Sequence, residues 1–87
     1  MKKISFADRV RDAVRNIPKG EIRSYGEVAR AIGHPGAARA VGTVLKHNFD
    51  PNVPCHRVIR ADGTPGFYNR GEERKRELLR EEGVPII

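Results

Sequence analysis

Glycine and proline recur at short intervals along this chain and restrict it to short regular elements. Both residues interrupt helices and strands, so their clusters mark turns and loops. The clusters lie at 18–20, 33–36, 48–54, 62–66 and 83–85. The segments between them are long enough for four helices and a short extended region. A mostly α-helical fold is therefore predicted.

Capping signals indicate where these helices begin and end. Ser5 with Asp8 and Ser24 with Glu27 have the spacing that places a side-chain cap at a helix start. Gly33 follows the second helix in the position of a glycine cap. We expect helices at about 6–17, 25–32, 37–47 and 69–82.

The last of these helices is mostly charged. Asn69 with Glu72 is expected to cap its start. Only Leu78 and Leu79 are clearly apolar, so we expect this helix to lie on the surface with a narrow buried stripe.

The second and third helices are separated by a tight turn at 34–36, and the third is rich in Ala and Arg. Two short helices joined in this way favour a helix-turn-helix, whose second helix enters a DNA groove. The alternative is a packed helical pair with no role in DNA binding.

A short β-hairpin is expected after these helices. Val58 and Ile59 predict one strand, the Asp62–Gly63 pair predicts a turn, and a strand at about 64–67 would return beside the first. Together these elements predict a single winged helix-turn-helix domain covering residues 1–87, since a chain of this length supports one core.

The charge balance points towards a polyanion. Lys and Arg together number 17 against 11 Asp and Glu, which gives a net charge of +6 and a pI near 10.1. A basic small domain of this kind is typical of nucleic-acid binding. The competing explanation is that the excess charge serves solubility alone.

Cysteine usage and the N-terminus indicate the compartment. One cysteine cannot form an internal disulfide, so a reducing cytoplasm is expected, with nucleoid association if the source is a prokaryote. The stretch Met1–Ser5 lacks the apolar run of a signal peptide. No apolar run in the sequence is long enough to cross a membrane.

Cys55 lies in the most informative segment, Pro54 to Ile59, beside His56. It has four interpretations: a buried small apolar residue, a metal ligand, the nucleophile of a hydrolase, or a nucleophile that reacts once. One Cys and three scattered His lack the spacing of metal ligands, which argues against a metal site. Because adjacent side chains of a strand point to opposite faces, a turn is needed for His56 to reach the thiol.

The residues around Cys55 resemble the PCHRV active-site motif of the O6-alkylguanine-DNA alkyltransferases, also called methylated-DNA–protein-cysteine methyltransferases. Further segments resemble that family in the same order, from about residue 6 to residue 83. They read IPKG at 17–20, SYGEVA at 24–29, AARAVG at 37–42, GFYN at 66–69 and LLREEG at 78–83.

This resemblance implies how the protein would bind DNA and what reaction it would carry out. Members of the family bind the minor groove of double-stranded DNA and rotate a damaged nucleotide out of the duplex, because its reactive atom is inaccessible inside the stack. Cys55 would take the alkyl group from O6-alkylguanine irreversibly, so each molecule would react once. No cofactor and no metal are implied, and a monomer is expected.

The resemblance also implies the catalytic residues. Cys55 would be the nucleophile, His56 its base acting through water, and Glu82 the residue that orients His56. The competing interpretation of Glu82 is an ordinary surface glutamate in a charged helix.

Further positions carry over to DNA contact and to the base pocket. Arg39 would enter the stack as an arginine finger, although an ordinary phosphate contact is the alternative. The implied DNA-binding residues are Tyr25, Ala37, Ala38, Arg39 and Gly42. The implied base pocket comprises Tyr25, Val58, Tyr68 and Asn69. Asn48 and Arg57 fall near the site in structural roles.

Two departures from the family pattern affect these expectations. The resemblance covers only the catalytic half of members that carry an N-terminal domain. Arg70 replaces a small residue in the lid over the base pocket, residues 68–71, and this change would alter transfer rate and alkyl-size preference. A sister group, the alkyltransferase-like proteins, binds O6-alkylguanine without transfer and passes the lesion to nucleotide excision repair proteins. The short length favours that group, whereas the retained Cys55 favours the enzyme.

Overall fold

The computed structural model describes residues 4–85, and these form four α-helices with a two-stranded sheet. The elements are α1 Phe6–Arg15, β1 Arg23–Ser24, α2 Tyr25–Ala31, α3 Ala38–Lys46, a 3₁₀ helix Cys55–Arg57, β2 Val58–Ile59 and α4 Glu72–Glu81. The mostly helical class is thereby confirmed. Residues 1–3 of the N-terminal stretch considered above lie outside the described residues.

The two predicted capping boxes are both present. The Ser5 and Ser24 hydroxyls accept from the backbone N–H of Asp8 and Glu27, at 3.1 and 3.0 Å. Each carboxylate in turn accepts from the backbone N–H of its serine. Helix α1 ends two residues earlier than predicted, because Ile17 precedes a proline and is thereby disfavoured from helical geometry.

Helices α2 and α3 pack together in the predicted helix-turn-helix arrangement. Gly33 ends α2 with a φ of +83°, and the N–H of His34 reaches back to the Ala29 carbonyl. The buried side chains of Val28 and Val41 contribute to the core shared by these helices. That core comprises Val10, Val14, Ile17, Val28, Ala29, Val41, Leu45, Val53, Cys55, Val58 and Tyr68.

The predicted hairpin is wrong in its second strand. Val58–Ile59 pairs instead with Arg23–Ser24, in parallel, so the sheet joins the start of α2 to the segment after Cys55. The Asp62–Gly63 turn does form, and it is closed by a bond from the Arg60 N–H to the Thr64 carbonyl. Beyond it no strand forms at 64–67, because this segment contains a proline, which cannot donate to a ladder.

Helix α4 also differs from the prediction at its start. Gly71, not Asn69, occupies the cap position, and no side chain caps the helix. The Asn69 amide instead donates to the carbonyls of Lys46 and Asn48. Leu79 is buried as expected, but so is Lys75, which a charged helix gave no reason to expect. Within residues 4–85, no helix combines the length and apolarity needed to cross a membrane.

Candidate active site

Cys55 begins the 3₁₀ helix and lies at the edge of the core. Only 9% of the residue is exposed. Its N–H donates to the Val53 carbonyl at 2.8 Å, which fixes the turn that presents the side chain. The chain therefore turns at Cys55 instead of passing through as a strand, as cooperation with His56 requires.

Two cavities meet at Cys55. The larger has a volume of about 700 Å³ and opens between α3 and the segment after β2. It is lined by Tyr25, Ala38, Arg39, Gly42, Thr43, Leu45, Lys46, Cys55, Arg60, Phe67, Tyr68 and Asn69. The lining includes three cations and no carboxylate, which suits an anionic ligand with a flat apolar part.

Most of the residues expected at DNA or base are in this lining, with two exceptions. Ala37 precedes α3 and Val58 is fully buried, and neither lines the larger cavity. The Val58 carbonyl is occupied by a bond from the Lys75 ammonium at 2.6 Å. Arg70, expected to alter the lid, borders the smaller cavity and donates to the Phe49 carbonyl.

The smaller cavity, of about 160 Å³, shares Cys55 and Tyr68 with the larger one and is also lined by His56. No hydrogen bond joins these two side chains among the described residues. A water molecule occupies about 30 Å³ in the liquid, so this cavity has room for one between the thiol and the imidazole. Proton exchange between Cys55 and His56 is therefore possible through water.

Behind His56, Glu82 is held by two basic side chains. Its Oε2 lies 2.8 Å from His56 Nε2, and Arg57 donates to both carboxylate oxygens, at 2.9 Å each. The bonds from Arg57, and then that from His56, lower the pKa of Glu82 from 4.5 to about 2, so it is a carboxylate at neutral pH. A carboxylate can only accept hydrogen bonds, so the Nε2 atom of His56 must carry the proton in this bond. In the neutral ring, Nδ1 is then the nitrogen without a proton, and it can take one up.

The turn after α1 contacts both Arg57 and Glu82. Arg57 donates a further bond to the Ile17 carbonyl at 2.8 Å. Gly20 has a φ of +89°, and a Cβ atom there would lie 3.4 Å from the Glu82 carbonyl oxygen. The IPKG segment is thus a structural support for Glu82, a role that its sequence did not reveal.

Tyr25 forms one wall of the larger cavity against α3. Its ring lies close to Gly42, where a Cβ atom would sit 3.9 Å from two ring carbons. Burial raises the pKa of Tyr25 above its usual value of 10, with a smaller contribution from the nearby Cys55. At neutral pH the phenol therefore keeps its proton and can donate a hydrogen bond into the cavity.

Two asparagines fasten the loop that carries Cys55. Asn48 is buried, and its amide points at the Val53 carbonyl at 3.5 Å. Asn69 donates to the Asn48 carbonyl and so ties the segment after β2 to the end of α3. The Asn69 Oδ1 atom is buried without a partner among the described residues.

Lys75 contacts the candidate site from α4, a position that its charged sequence surroundings did not indicate. It is fully buried, and its ammonium donates to the carbonyls of Val58 and Phe67 while lying 5.8 Å from the centre of the Tyr25 ring. Lys75 therefore connects β2, the segment that leads into the lid, and the Tyr25 wall of the larger cavity. Burial lowers the pKa of Lys75 from 10.5 to about 8, an effect that the charge of Cys55 partly opposes. Among residues 4–85, no group of three or more His, Cys, Asp or Glu is placed to hold a metal ion.

Comparisons with known proteins agree with this geometry. The family model described as the DNA-binding domain of 6-O-methylguanine DNA methyltransferase matches residues 5–84. The chain belongs to this family. It is 56% identical over 75 residues to a methylated-DNA–protein-cysteine methyltransferase of Mycobacterium tuberculosis, covering 85% of this chain and 46% of the relative. It is 44% identical over 89 residues to Alkyltransferase-like protein 1 of Schizosaccharomyces pombe, covering 99% and 82%.

Solved structures show the same fold. The crystal structure of Mycobacterium tuberculosis OGT in complex with DNA matches with a TM-score of 0.87 and 52% identity, over 93% of this chain and 51% of that one. The structure of S. pombe Atl1 in complex with damaged DNA containing O6-carboxymethylguanine matches with a TM-score of 0.87 and 43% identity, over 100% and 83%. The chain spans about half the length of the methyltransferases it matches.

Proposed function

We propose that this protein repairs DNA by transferring the alkyl group of O6-alkylguanine irreversibly to Cys55. The observation that carries the proposal is the position of Cys55 between the two cavities. It lines a cationic cavity large enough for a nucleotide base, and it lines the smaller cavity together with His56. The membership of the chain in an alkyltransferase family supports the same conclusion.

The proposed reaction is a single displacement. The thiol proton of Cys55 passes through water to Nδ1 of His56, which the Glu82 carboxylate holds in position at 2.8 Å. The sulfur then attacks the alkyl carbon, so an S–C bond forms as the C–O6 bond breaks. The electron pair of the C–O6 bond stays on guanine, which takes up one proton at N1 to reach its keto form. His56 gives back through water the proton that it received, so no proton is gained or lost overall. The thioether is stable, and each molecule therefore reacts once.

The walls of the larger cavity supply the groups that would hold the base. Tyr25 keeps its proton and would donate a hydrogen bond to the departing guanine, and Tyr68 and Asn69 line the same cavity as Cys55. A flat heterocycle with hydrogen-bond donors and acceptors at its edge would fit among four of these side chains, those of Tyr25, Cys55, Tyr68 and Asn69. Extrusion of the base from the duplex would bring O6 to the sulfur.

Helix α3 is the proposed DNA-reading element. Ala38, Arg39 and Gly42 line the cavity from this helix, and its small residues would let the backbone approach the minor groove. Arg39 is exposed and has no hydrogen bond or ion pair to another described side chain. The partner we propose is double-stranded DNA containing the lesion, bound by a monomer in the reducing cytoplasm, where Cys55 stays a free thiol.

The decisive experiment is intact-mass measurement after incubation with a duplex containing one O6-methylguanine. The protein should become heavier by one CH₂ unit, and peptide mapping should place the added methyl on Cys55. The Cys55→Ser variant should remain unmodified under the same conditions. An unmodified wild-type protein at excess duplex would contradict the proposal. If that protein still bound the lesion duplex more tightly than undamaged DNA, it would be a damage sensor that acts with nucleotide excision repair proteins.

Removing the arginine of α3 should separate lesion recognition from general affinity. We expect Arg39→Ala to lower methyl transfer from the lesion duplex about tenfold, which corresponds to ~1.4 kcal/mol. Affinity for undamaged DNA should fall by less, because one exposed phosphate contact among several contributes modestly. Transfer rates and fluorescence anisotropy with matched duplexes measure the two effects. Equal losses in both would show that Arg39 makes only a phosphate contact.

A further inference from the structure

We propose that Arg60 binds the phosphate next to the displaced nucleotide and thereby selects alkylated guanine within DNA over the free base. This inference rests on the proposed function and extends it to a residue that neither the family motifs nor the mechanism uses. Arg60 follows β2 directly and lines the rim of the larger cavity.

The backbone of Arg60 is held firmly although its side chain is exposed. Its N–H donates to the Thr64 carbonyl, and its own carbonyl accepts from the Gly63 N–H, both at 3.0 Å. A closed loop of this kind fixes the direction in which the side chain leaves the backbone. A fixed starting direction limits the region that the guanidinium can reach, which reduces the entropy lost on binding.

The side chain of Arg60 lies beside Tyr25 because glycine occupies position 66. A Cβ atom on Gly66 would lie 3.2 Å from Arg60 Cγ, 3.4 Å from Arg60 Nε and 3.3 Å from the Tyr25 hydroxyl oxygen. Gly66 also has a φ of +74°, which disfavours any larger residue. The absent side chain therefore lets the guanidinium and the phenol approach the same point on the cavity wall.

The guanidinium of Arg60 is not neutralised by a neighbour. Among residues 4–85 it makes no hydrogen bond or ion pair, whereas Arg57 is paired with Glu82. The carboxylate that feels its charge, Asp62, is instead bonded to the hydroxyl and N–H of Thr64, at 2.7 and 3.0 Å. An unpaired arginine in a cavity lining that contains no carboxylate suits a phosphate, which it can bind with two parallel bonds.

The location distinguishes a phosphate from the base as its ligand. The base must reach Cys55 inside the cavity, while the sugar and phosphates that connect it to the strand remain at the mouth. Arg60 is exposed at that mouth, and Cys55 is buried. Arg60 therefore acts on the backbone of the displaced nucleotide and is a positioning residue.

Methyl transfer from two substrates tests this role. Arg60→Gln should react about tenfold more slowly with an O6-methylguanine duplex and within about twofold of wild type with the free base O6-methylguanine. The salt dependence of duplex binding should also weaken by about 0.9 in its logarithmic slope, the value for one phosphate contact. Arg9→Gln is the matched control, because Arg9 is exposed on α1 and lines neither cavity.

Each outcome decides the inference. Equal losses with duplex and free base would overturn it by showing that Arg60 acts on the base, and an unchanged duplex rate would show no role at all. If the wild-type protein transferred methyl from neither substrate, the proposed function would fail independently. The salt slope of lesion-duplex binding, compared between Arg60→Gln and Arg9→Gln, would then still support or overturn the phosphate contact.

Discussion

Replacing Glu82 with alanine should lower the free energy of unfolding by about 3 kcal/mol at pH 7, because it leaves the guanidinium of Arg57 largely buried without its partner. The side chains of Arg57 and Glu82 are only 16% and 10% exposed, so water compensates little. Thermal or urea unfolding measures the loss. Methyl transfer should fall as well, because nothing then orients His56.

Two controls isolate the role of the Glu82 carboxylate. Glu81→Ala changes an exposed neighbour and should alter stability by less than about 0.5 kcal/mol. Because the pKa of Glu82 falls from 4.5 to about 2 on folding, its stabilisation is present above pH 4.5 and is lost as the pH falls towards 2. Glu82→Gln should weaken this acid dependence. A variant as acid-sensitive as wild type would show that other carboxylates cause the transition.

Lys75→Ala should also destabilise the protein by about 3 kcal/mol at pH 7. It deletes three buried methylene groups and the ammonium, and it leaves the carbonyls of Val58 and Phe67 without this donor. Urea unfolding measures the change. Arg74→Ala, at an exposed position of the same helix, is the control and should have a small effect. A loss below about 1 kcal/mol would mean that the lid and β2 do not depend on Lys75.

The pH dependence of stability at alkaline pH tests the charge of Lys75. Its pKa is lowered to about 8 in the folded protein, so between pH 8 and 10.5 the unfolded chain binds more protons. Stability should therefore rise with pH in this window, by up to about 1.4 kcal/mol per pH unit. Lys75→Met keeps most of the length of the side chain without the charge and should remove this rise. An equal slope in both proteins would assign the effect to other groups.

The sequence predicted several local features of the fold correctly, although not the start of α4. Capping boxes at Ser5 and Ser24 and the cap at Gly33 depend on residues three or four positions apart, and the structure contains all three. The turn that His56 needs in order to approach the Cys55 thiol is present as the 3₁₀ helix. These features were accessible because the physical interactions that determine them are local.

Features that depend on distant pairing were missed. Nothing near Val58 indicates that its strand partner is Arg23, 35 positions earlier, and the Asp62–Gly63 turn favoured a local hairpin instead. The burial of Lys75 was hidden because its two acceptors are backbone carbonyls, which any residue type provides. The contact between Gly20 and the end of α4 was invisible for the same reason.

The parallel pairing of Arg23–Ser24 with Val58–Ile59 affects how the protein folds. It joins the residue before Tyr25 to the strand after Cys55, so the cavity wall and the nucleophile meet only after a long loop has closed. Contacts of such sequence separation form slowly and are lost in global unfolding. The amide hydrogens bonded between the two strands should therefore exchange with solvent only when the whole protein unfolds. The setting that would make Cys55 reactive therefore forms only when both strands have paired in the folded chain.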